Sequence, residues 1–192
     1  MVTPAYWFER AEFLSRLSRV QAELKKKQLD GLVAFLPETV TWLTGYFTRA
    51  YGTLQFAIIP AEGEPTLFCR DVEEYYLDST CVFSDRVMWS DSDDRMAVAA
   101  SAIESRIGKS AKLGIELSAW PLSAGRYEYL KSALPGIVWQ DESAMTPQMR
   151  LIKSPAEIAY QRRAAKAAEA GMQAAIDSAA VGVTEREMAA EV

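Results

Sequence analysis

Histidine is absent from this sequence of 192 residues, and cysteine occurs only twice, as Cys69 and Cys81. Without histidine, the Ser–His and Cys–His couples that activate a nucleophile cannot form. Zinc sites built from closely spaced cysteine and histidine are excluded for the same reason. Two cysteines are also too few for the disulfide framework of a small secreted domain. We expect Cys69 to be a buried thiol because it lies in an apolar run, and a similar environment for Cys81.

Features of several other protein classes are missing as well. Neither glycine-rich phosphate-binding motif, G-x-G-x-x-G or G-x-x-x-x-G-K-[ST], occurs. No apolar run approaches the roughly 18 residues that a membrane-spanning helix needs, and no apolar signal segment begins the chain. The formal net charge of −5 argues against nucleic acid or an anionic membrane as the main partner. These absences predict a cytoplasmic protein that binds neither nucleic acid nor a membrane.

One dense acidic cluster comprises Asp91, Asp93 and Asp94. Carboxylates of this kind can hold a metal ion. The cluster directly precedes an amphipathic helix pattern, however, where helix capping and the helix dipole also favour acidic side chains. We therefore expect these carboxylates to cap the helix rather than to hold a metal ion.

Amphipathic helix patterns alternate with short apolar runs along most of the chain. Residues 32–36 form a continuous apolar run, which is typical of a strand buried on both faces. Two further runs flank the turn-rich residues 60–64 and indicate a β-hairpin. The pattern predicts an α/β domain, a mixed β-sheet with flanking helices, over residues 1–146. The expected helices are residues 8–28, 37–43, 71–79, 96–107 and 123–134, and the expected strands are residues 32–36, 54–59, 65–69, 86–89, 113–116 and 137–139.

Residues with known positional preferences mark the helix ends. Pro37 fits the first turn of a short helix that Gly45 would end. Asp71 is the expected cap of the helix over residues 71–79. Gly108 is expected to end the helix that follows the acidic cluster.

A second segment, residues 147–192, follows a linker that we expect at Thr146 and Pro147. Ser154 and Glu157 form a capping box, with a proline at the first helical position between them. The helix that follows is rich in alanine, which favours helix formation and close packing against another element.

We expect Gly182 to end this alanine-rich helix. Thr184 and Glu187 then form the capping box of another helix start. We therefore expect residues 147–192 to comprise a linker and the opening helices of a second domain, whose core these residues do not close.

A loop bounded by Gly45 and Gly52 is the remaining candidate for a site. It carries Tyr46, Arg49 and Tyr51 between a short helix and a strand. Such a loop can present a cation and aromatic ring faces to a ligand or to a partner subunit. In the alternative interpretation, the aromatic rings only cover the edge of the sheet and the arginine is solvated. The sequence leaves both interpretations open.

Three parts of the sequence match the pattern of one known protein family. The first is the helix pattern of residues 8–33 with its Leu-Asp-Gly-Leu-Val-Ala, followed by the Trp-Leu-Thr-Gly-Tyr element of residues 42–46. The second is residues 149–158 with the Arg-Arg-Ala-Ala helix, which is similar to the family's interdomain junction. The third, residues 182–187, is similar to the start of the second helix of the catalytic domain. Together these parts resemble the creatinase/prolidase family, and the resemblance covers nearly the whole chain.

This resemblance implies an α/β N-terminal domain followed by the first helices of an incomplete pita-bread domain. In peptidase members the pita-bread domain binds two divalent metal ions, Mn, Co or Zn, through two Asp, one His and two Glu. A hydroxide held there attacks an Xaa-Pro peptide bond. Creatinases use the same fold without metal and rely on a catalytic histidine. None of these ligand motifs occurs in residues 1–192, so no catalytic or metal-binding residue is assigned and no cofactor is expected in this chain.

The resemblance further implies the non-catalytic N-terminal domain of an Xaa-Pro metallopeptidase, of the aminopeptidase P or prolidase type. Such a domain restricts substrate access and builds a homodimer, and the parent protein acts on proline-containing peptides. Tyr46, Arg49 and Tyr51 lie in the region that reaches the active site or the neighbouring subunit. Creatinases tend to carry an arginine a few residues before the following strand. In this sequence Leu54 or nearby residues occupy that part, and Arg49 lies further upstream. This departure favours a prolyl peptidase or another hydrolase of the family over a creatinase. The alternatives are a domain of a creatinase-type or compatible-solute amidohydrolase, and a stand-alone dimerisation or peptide-binding module.

Overall fold

The computed structural model describes residues 7–192. Residues 1–6, which the expected first domain includes, lie outside the described residues. The chain divides into two compact units, one that ends at Met149 and one that spans Arg150–Val192. The helices are α1 (Arg10–Lys26), α2 (Pro37–Thr44), α3 (Glu74–Thr80), α4 (Arg95–Ile107), α5 (Ala124–Ala133), α6 (Met145–Met149), α7 (Pro155–Ser178) and α8 (Glu185–Glu191). The strands are β1 (Gly31–Ala34), β2 (Phe56–Pro60), β3 (Thr66–Arg70), β4 (Arg86–Trp89), β5 (Ala111–Ile115) and β6 (Ile137–Asp141).

The first unit is built around one six-stranded sheet with the strand order β4-β3-β2-β1-β5-β6. β2 is antiparallel to both β1 and β3, whereas the other neighbouring pairs are parallel. The expected mixed α/β fold and the β2–β3 hairpin are therefore confirmed. Because β2 alone runs in the opposite direction, it begins at the edge where the other five strands end. The chain between α2 and β2 therefore lies at the carboxyl edge of the sheet, where α/β folds place their ligands.

Two hydrophobic cores lie on the two faces of this sheet. Residues one apart along a strand point to opposite faces, so β1 contributes Leu32 to one core and Val33 to the other. The first core is covered by α1 and α2, with Val20 and Leu43 fully buried. The second is covered by α4 and α5, with Ile103 fully buried. Burying each such aliphatic side chain stabilises the fold by about 1.5–3 kcal/mol.

Two local expectations in this unit are wrong. Asp71 does not cap α3; it is the first residue of a 3-10 turn, Asp71–Glu73, whose preceding residue makes no side-chain cap bond. Thr146 and Pro147 do not form a linker, because they lie within α6. Met145 belongs to the first core and Thr146 is fully buried, so packing holds this segment in a helix. Its proline lies in the first turn, where no backbone N–H is required.

The second unit contains α7 and α8. Both predicted capping boxes are present: Ser154 pairs reciprocally with Glu157, and Thr184 with Glu187. Gly182 does not end α7, which stops at Ser178; the glycine instead lies at φ 90° in the turn that leads to α8. No residue of α7 is buried. Within residues 7–192, no helix is long and apolar enough to cross a membrane.

Candidate functional site

The loop of residues 45–55 joins α2 to β2. Its first residue, Gly45, ends α2 in the left-handed region at φ 79°. A Cβ atom at this position would lie 2.5 Å from the carbonyl oxygen of Thr80, at the end of α3. Only glycine therefore allows the loop to turn against α3 in this way. The start of the candidate site is fixed by backbone packing.

Tyr46 follows this turn and points into the protein. Its side chain is only 2% exposed, and its hydroxyl lies 3.0 Å from Oε1 of Gln55 and 3.2 Å from Oε2 of Glu73. Gln55 and Glu73 are buried too. A phenol has one hydrogen to donate, so Tyr46 donates to one of these two oxygens at a time. Burial is the main reason that the pKa of Tyr46 is raised, and the nearby Cys69 and Glu73 raise it further.

Both cysteines are buried thiols, as expected. Burial, followed by the charge of Glu73, raises the pKa of Cys69 to about 12, and burial raises the pKa of Cys81 to about 11. A thiol is a nucleophile only in its deprotonated form. Neither cysteine therefore offers nucleophilic chemistry near neutral pH.

The other two predicted residues of the loop lie outside the core. Arg49 is exposed, and no ion pair to it is found within residues 7–192. Tyr51 is partly buried, and burial followed by the charge of Glu38 raises its pKa. The structure therefore separates the three predicted site residues: Arg49 and Tyr51 reach the surface, whereas the ring of Tyr46 does not.

Two further aromatic side chains extend the surface of this loop. The ring of Phe47 packs edge-to-face against Tyr51, with 6.1 Å between ring centroids, and against Trp7, with 5.7 Å. Trp7 is 40% exposed and Phe47 is 36% exposed. We call Trp7, Phe47 and Tyr51 the aromatic rim. Trp7 was not predicted, because no sequence pattern connects it to a loop forty residues further along the chain.

A crevice that Tyr51 helps to line is too small for a ligand. It is bordered by Pro37, Tyr46, Thr48 and Gln55, among others, and its volume is about 10 Å³. This is the room that one water molecule needs. A ligand of the loop would therefore bind to the exposed rim and Arg49.

Glu116 is a buried carboxylate that the sequence did not reveal as important. Its Oε2 accepts a hydrogen bond of 2.7 Å from the backbone N–H of Leu36, and its Oε1 accepts one of 2.7 Å from Thr39 Oγ1. A negative charge at the N-terminus of α2 also interacts favourably with the helix dipole. Glu116 thus fixes the start of the helix that leads into the candidate loop.

The acidic cluster is used within the fold. Asp94 accepts hydrogen bonds from the backbone N–H groups of Met96 and Ala97 and caps α4, as expected. Asp93 accepts one from the backbone N–H of Ser90, and Asp91 pairs with an arginine of β3. Among residues 7–192, no group of three or more His, Cys, Asp or Glu side chains is placed to hold a metal ion. The described residues therefore do not fit a metal centre.

Known proteins share both sequence and fold with this chain. An uncharacterized hydrolase/peptidase of Sinorhizobium fredii is 29% identical over 96% of this chain and 50% of its own length. An ectoine hydrolase of Halomonas elongata is 29% identical over 92% of this chain and 46% of its own length. An Xaa-Pro dipeptidase of Lactobacillus helveticus is 24% identical over 92% of this chain and 48% of its own length.

A solved structure shows the same fold. The crystal structure of a prolidase from Thermococcus sibiricus superimposes on this chain with a TM-score of 0.76 and a sequence identity of 24%. The superposition covers 93% of this chain and 48% of the prolidase chain. This chain spans about half the length of the curated relatives it matches. The family model described as the Creatinase/Prolidase N-terminal domain matches residues 16–152. The chain therefore belongs to the creatinase/prolidase N-terminal domain family.

Proposed function

We propose that this chain is the non-catalytic N-terminal domain of a hydrolase that cleaves Xaa-Pro peptides, of the aminopeptidase P or prolidase type. The observation that carries the proposal is the family match over residues 16–152, in a chain that spans about half of its curated relatives. The missing histidine and the two protonated, buried thiols support a role other than nucleophilic catalysis. The proposed parent protein works in the cytoplasm.

In this proposal the 45–52 loop limits access of proline-containing peptides to the active site, in the same subunit or across a homodimer. Its surface carries the side chains that such a role needs. Arg49 is exposed and offers a cation to a carboxylate. The aromatic rim offers flat apolar faces, on which proline rings pack well. Tyr46 contributes indirectly, because it anchors the loop to the core.

The proposal places the metal ions outside these 192 residues. Two divalent ions, Mn, Co or Zn, would activate a water molecule in the peptidase. The described residues hold no suitable ligand cluster. The contribution of this domain to catalysis is therefore limited to shaping and closing the site and to holding subunits together.

A second candidate is a hydrolase of a compatible solute. It is favoured by one observation: the ectoine hydrolase of Halomonas elongata is 29% identical, more than the Xaa-Pro dipeptidase at 24%. Fold alone does not decide between these substrates. A creatinase-type amidohydrolase has fold-level support alone, from the family model described as the Creatinase/Prolidase N-terminal domain.

A substrate panel on the complete product of the reading frame discriminates between these candidates. The protein is assayed with Xaa-Pro dipeptides, a longer peptide with proline at its second position, ectoine and creatine, each with and without added Mn²⁺. Metal-dependent cleavage of the proline peptides alone is the expected result. Cleavage of ectoine without cleavage of any proline peptide would overturn the peptidase assignment and establish the second candidate.

A further inference from the structure

The side-chain amide of Gln55 is buried at the end of the candidate loop, directly before β2. The residue is 3% exposed, and its Oε1 lies 3.0 Å from the hydroxyl of Tyr46. Its Nε2 carries two hydrogens but donates to no acceptor among residues 7–192. A buried donor without an acceptor is costly, so proteins pair such groups with protein atoms or with ordered water.

The unpaired end of this amide faces a small crevice. Nε2 is not completely enclosed by protein atoms, and Gln55 borders the crevice of about 10 Å³ that Tyr51 helps to line. A half-turn of the amide exchanges its oxygen and its nitrogen. Nε2 would then donate to Tyr46, whose own hydrogen would go to Glu73 at 3.2 Å, and Oε1 would face the crevice. In both orientations, one polar atom of a buried side chain points into this space.

Thr48 has unused hydrogen-bonding capacity at the same crevice. Its side chain is 1% exposed, and its Oγ1 accepts a hydrogen bond of 2.9 Å from the backbone N–H of Ala50. The hydroxyl hydrogen of Thr48 has no acceptor within the described part of the chain. Thr41 also borders the crevice, but its hydroxyl already donates to the backbone oxygen of Tyr46 at 2.8 Å. Gln55 and Thr48 therefore each need one more partner.

The size and the charge of the crevice select this partner. A volume of about 10 Å³ is the room that a single water molecule needs, so an organic ligand is excluded. None of the residues that border the crevice is charged. An ion held there would be buried without a counter-charge, which is unfavourable. A water molecule is neutral and both donates and accepts, and it is retained where two or more polar groups bind it.

We infer that the crevice holds one ordered water molecule, which bridges the side-chain amide of Gln55 and the hydroxyl of Thr48. Thr48 directly precedes Arg49, whereas Gln55 is the last residue before β2. The bridge therefore ties the middle of the loop to its buried end. The backbone beside the exposed Arg49 gains a second anchor, in addition to that of Tyr46. This inference concerns the support of the loop and does not depend on the reaction that the parent protein catalyses.

A crystal structure of the 192-residue chain, at a resolution that shows ordered water, tests the inference directly. We expect density for one water molecule within about 2.7–3.2 Å of both the Gln55 amide and Thr48 Oγ1. A crevice without density, or a water molecule in contact with only one of these two side chains, would overturn the bridge.

A double-mutant cycle provides a second measurement in solution. Gln55→Met and Thr48→Val remove the two polar groups and keep similar shapes, and each should lower the midpoint of urea denaturation. The double variant should lose less than the sum of the two single losses, because the second substitution finds the bridge already broken.

The control cycle combines Gln55→Met with Thr39→Val. Thr39 is also buried, but it donates to Glu116 and does not border the crevice. The losses in this control should add, because the two side chains share no partner. Additive losses in the cycle of Gln55 with Thr48 would contradict a water molecule that both side chains bind.

Discussion

The hydroxyl of Tyr46 lies 3.2 Å from a carboxylate oxygen of Glu73, and both side chains are buried. This contact joins the candidate loop to the 3-10 turn that precedes α3. Together with Gln55, it ties both ends of the loop to the interior, while Arg49 and the aromatic rim remain at the surface. The loop therefore holds exposed side chains on an anchored backbone, which suits a role in binding and positioning.

Removal of the Tyr46 hydroxyl should weaken the anchoring of the loop and destabilise the fold. We expect Tyr46→Phe to lower the free energy of unfolding by about 1–3 kcal/mol, because Glu73 and Gln55 lose a buried hydrogen-bond partner. Urea denaturation followed by circular dichroism measures the change. Tyr75→Phe is the matched control, since Tyr75 is 61% exposed and should tolerate the change. Equal stability of the two variants would contradict the proposed anchor.

Substitution of the glycine that starts the loop should be more damaging. In Gly45→Ala, a residue at φ 79° acquires a Cβ atom 2.5 Å from the carbonyl oxygen of Thr80. Backbone strain alone costs about 1–3 kcal/mol, and the steric clash adds to it. Gly125→Ala provides the control, because its Cβ meets no atom within 4 Å and alanine favours its helix α5. Thermal denaturation should show a lower Tm for the first variant and an unchanged or higher Tm for the second.

The stability of the protein should fall at alkaline pH. The folded-state pKa of Cys69 is about 12, against 9.0 for an unperturbed thiol. A raised pKa means that the folded state keeps its proton longer than the unfolded state does. The contribution of this group to the free energy of unfolding is therefore fully present below pH 9 and is lost as the pH rises toward 12. For one group, the free energy of unfolding falls by at most about 1.4 kcal/mol per pH unit.

Cys69→Ala separates this contribution from that of other groups. The variant loses packing at every pH, but its free energy of unfolding should decrease less steeply between pH 9 and pH 11 than that of wild type. Chemical denaturation at several pH values gives both slopes. Identical slopes would show that Cys69 does not supply the alkaline dependence.

Loss of the exposed cation should affect substrate binding rather than folding. In the complete enzyme we expect Arg49→Ala to raise KM about tenfold for a peptide with a free carboxylate. The reason is that one charge-assisted hydrogen bond between the guanidinium and that carboxylate would be lost. Far-UV circular dichroism should not change. Lys109→Ala serves as the control, because it removes an exposed cation that lies outside the candidate loop. An unchanged KM in Arg49→Ala would contradict a role of this residue at the active site.

Local signals predicted most helix ends correctly because the residues that determine them are neighbours in sequence. Ser154 with Glu157 and Thr184 with Glu187 form capping boxes, and Gly45 ends α2. The prediction of a linker at Thr146 and Pro147 was wrong because it also relied on local signals alone. Both residue types are common in loops, and only the burial of Thr146 in the tertiary structure reveals a helix.

Long-range contacts explain what the sequence could not show about the candidate site. Glu116 holds the start of α2 from 80 positions along the chain, through Leu36. The burial of Tyr46 depends on Gln55 and Glu73, which meet it only in the folded sheet. A tyrosine fits a core and a binding surface equally well, so residue type alone did not distinguish Tyr46 from Tyr51.

The most direct test of the central claim is the release of free proline from an Xaa-Pro dipeptide, measured with Mn²⁺ for two proteins side by side. One is the 192-residue chain, and the other is the complete product of its reading frame. The account predicts proline release by the complete product and none above buffer by the chain alone. Release by the 192-residue chain at a comparable rate per molecule would contradict it, because catalysis would then reside in a domain to which no catalytic residue has been assigned.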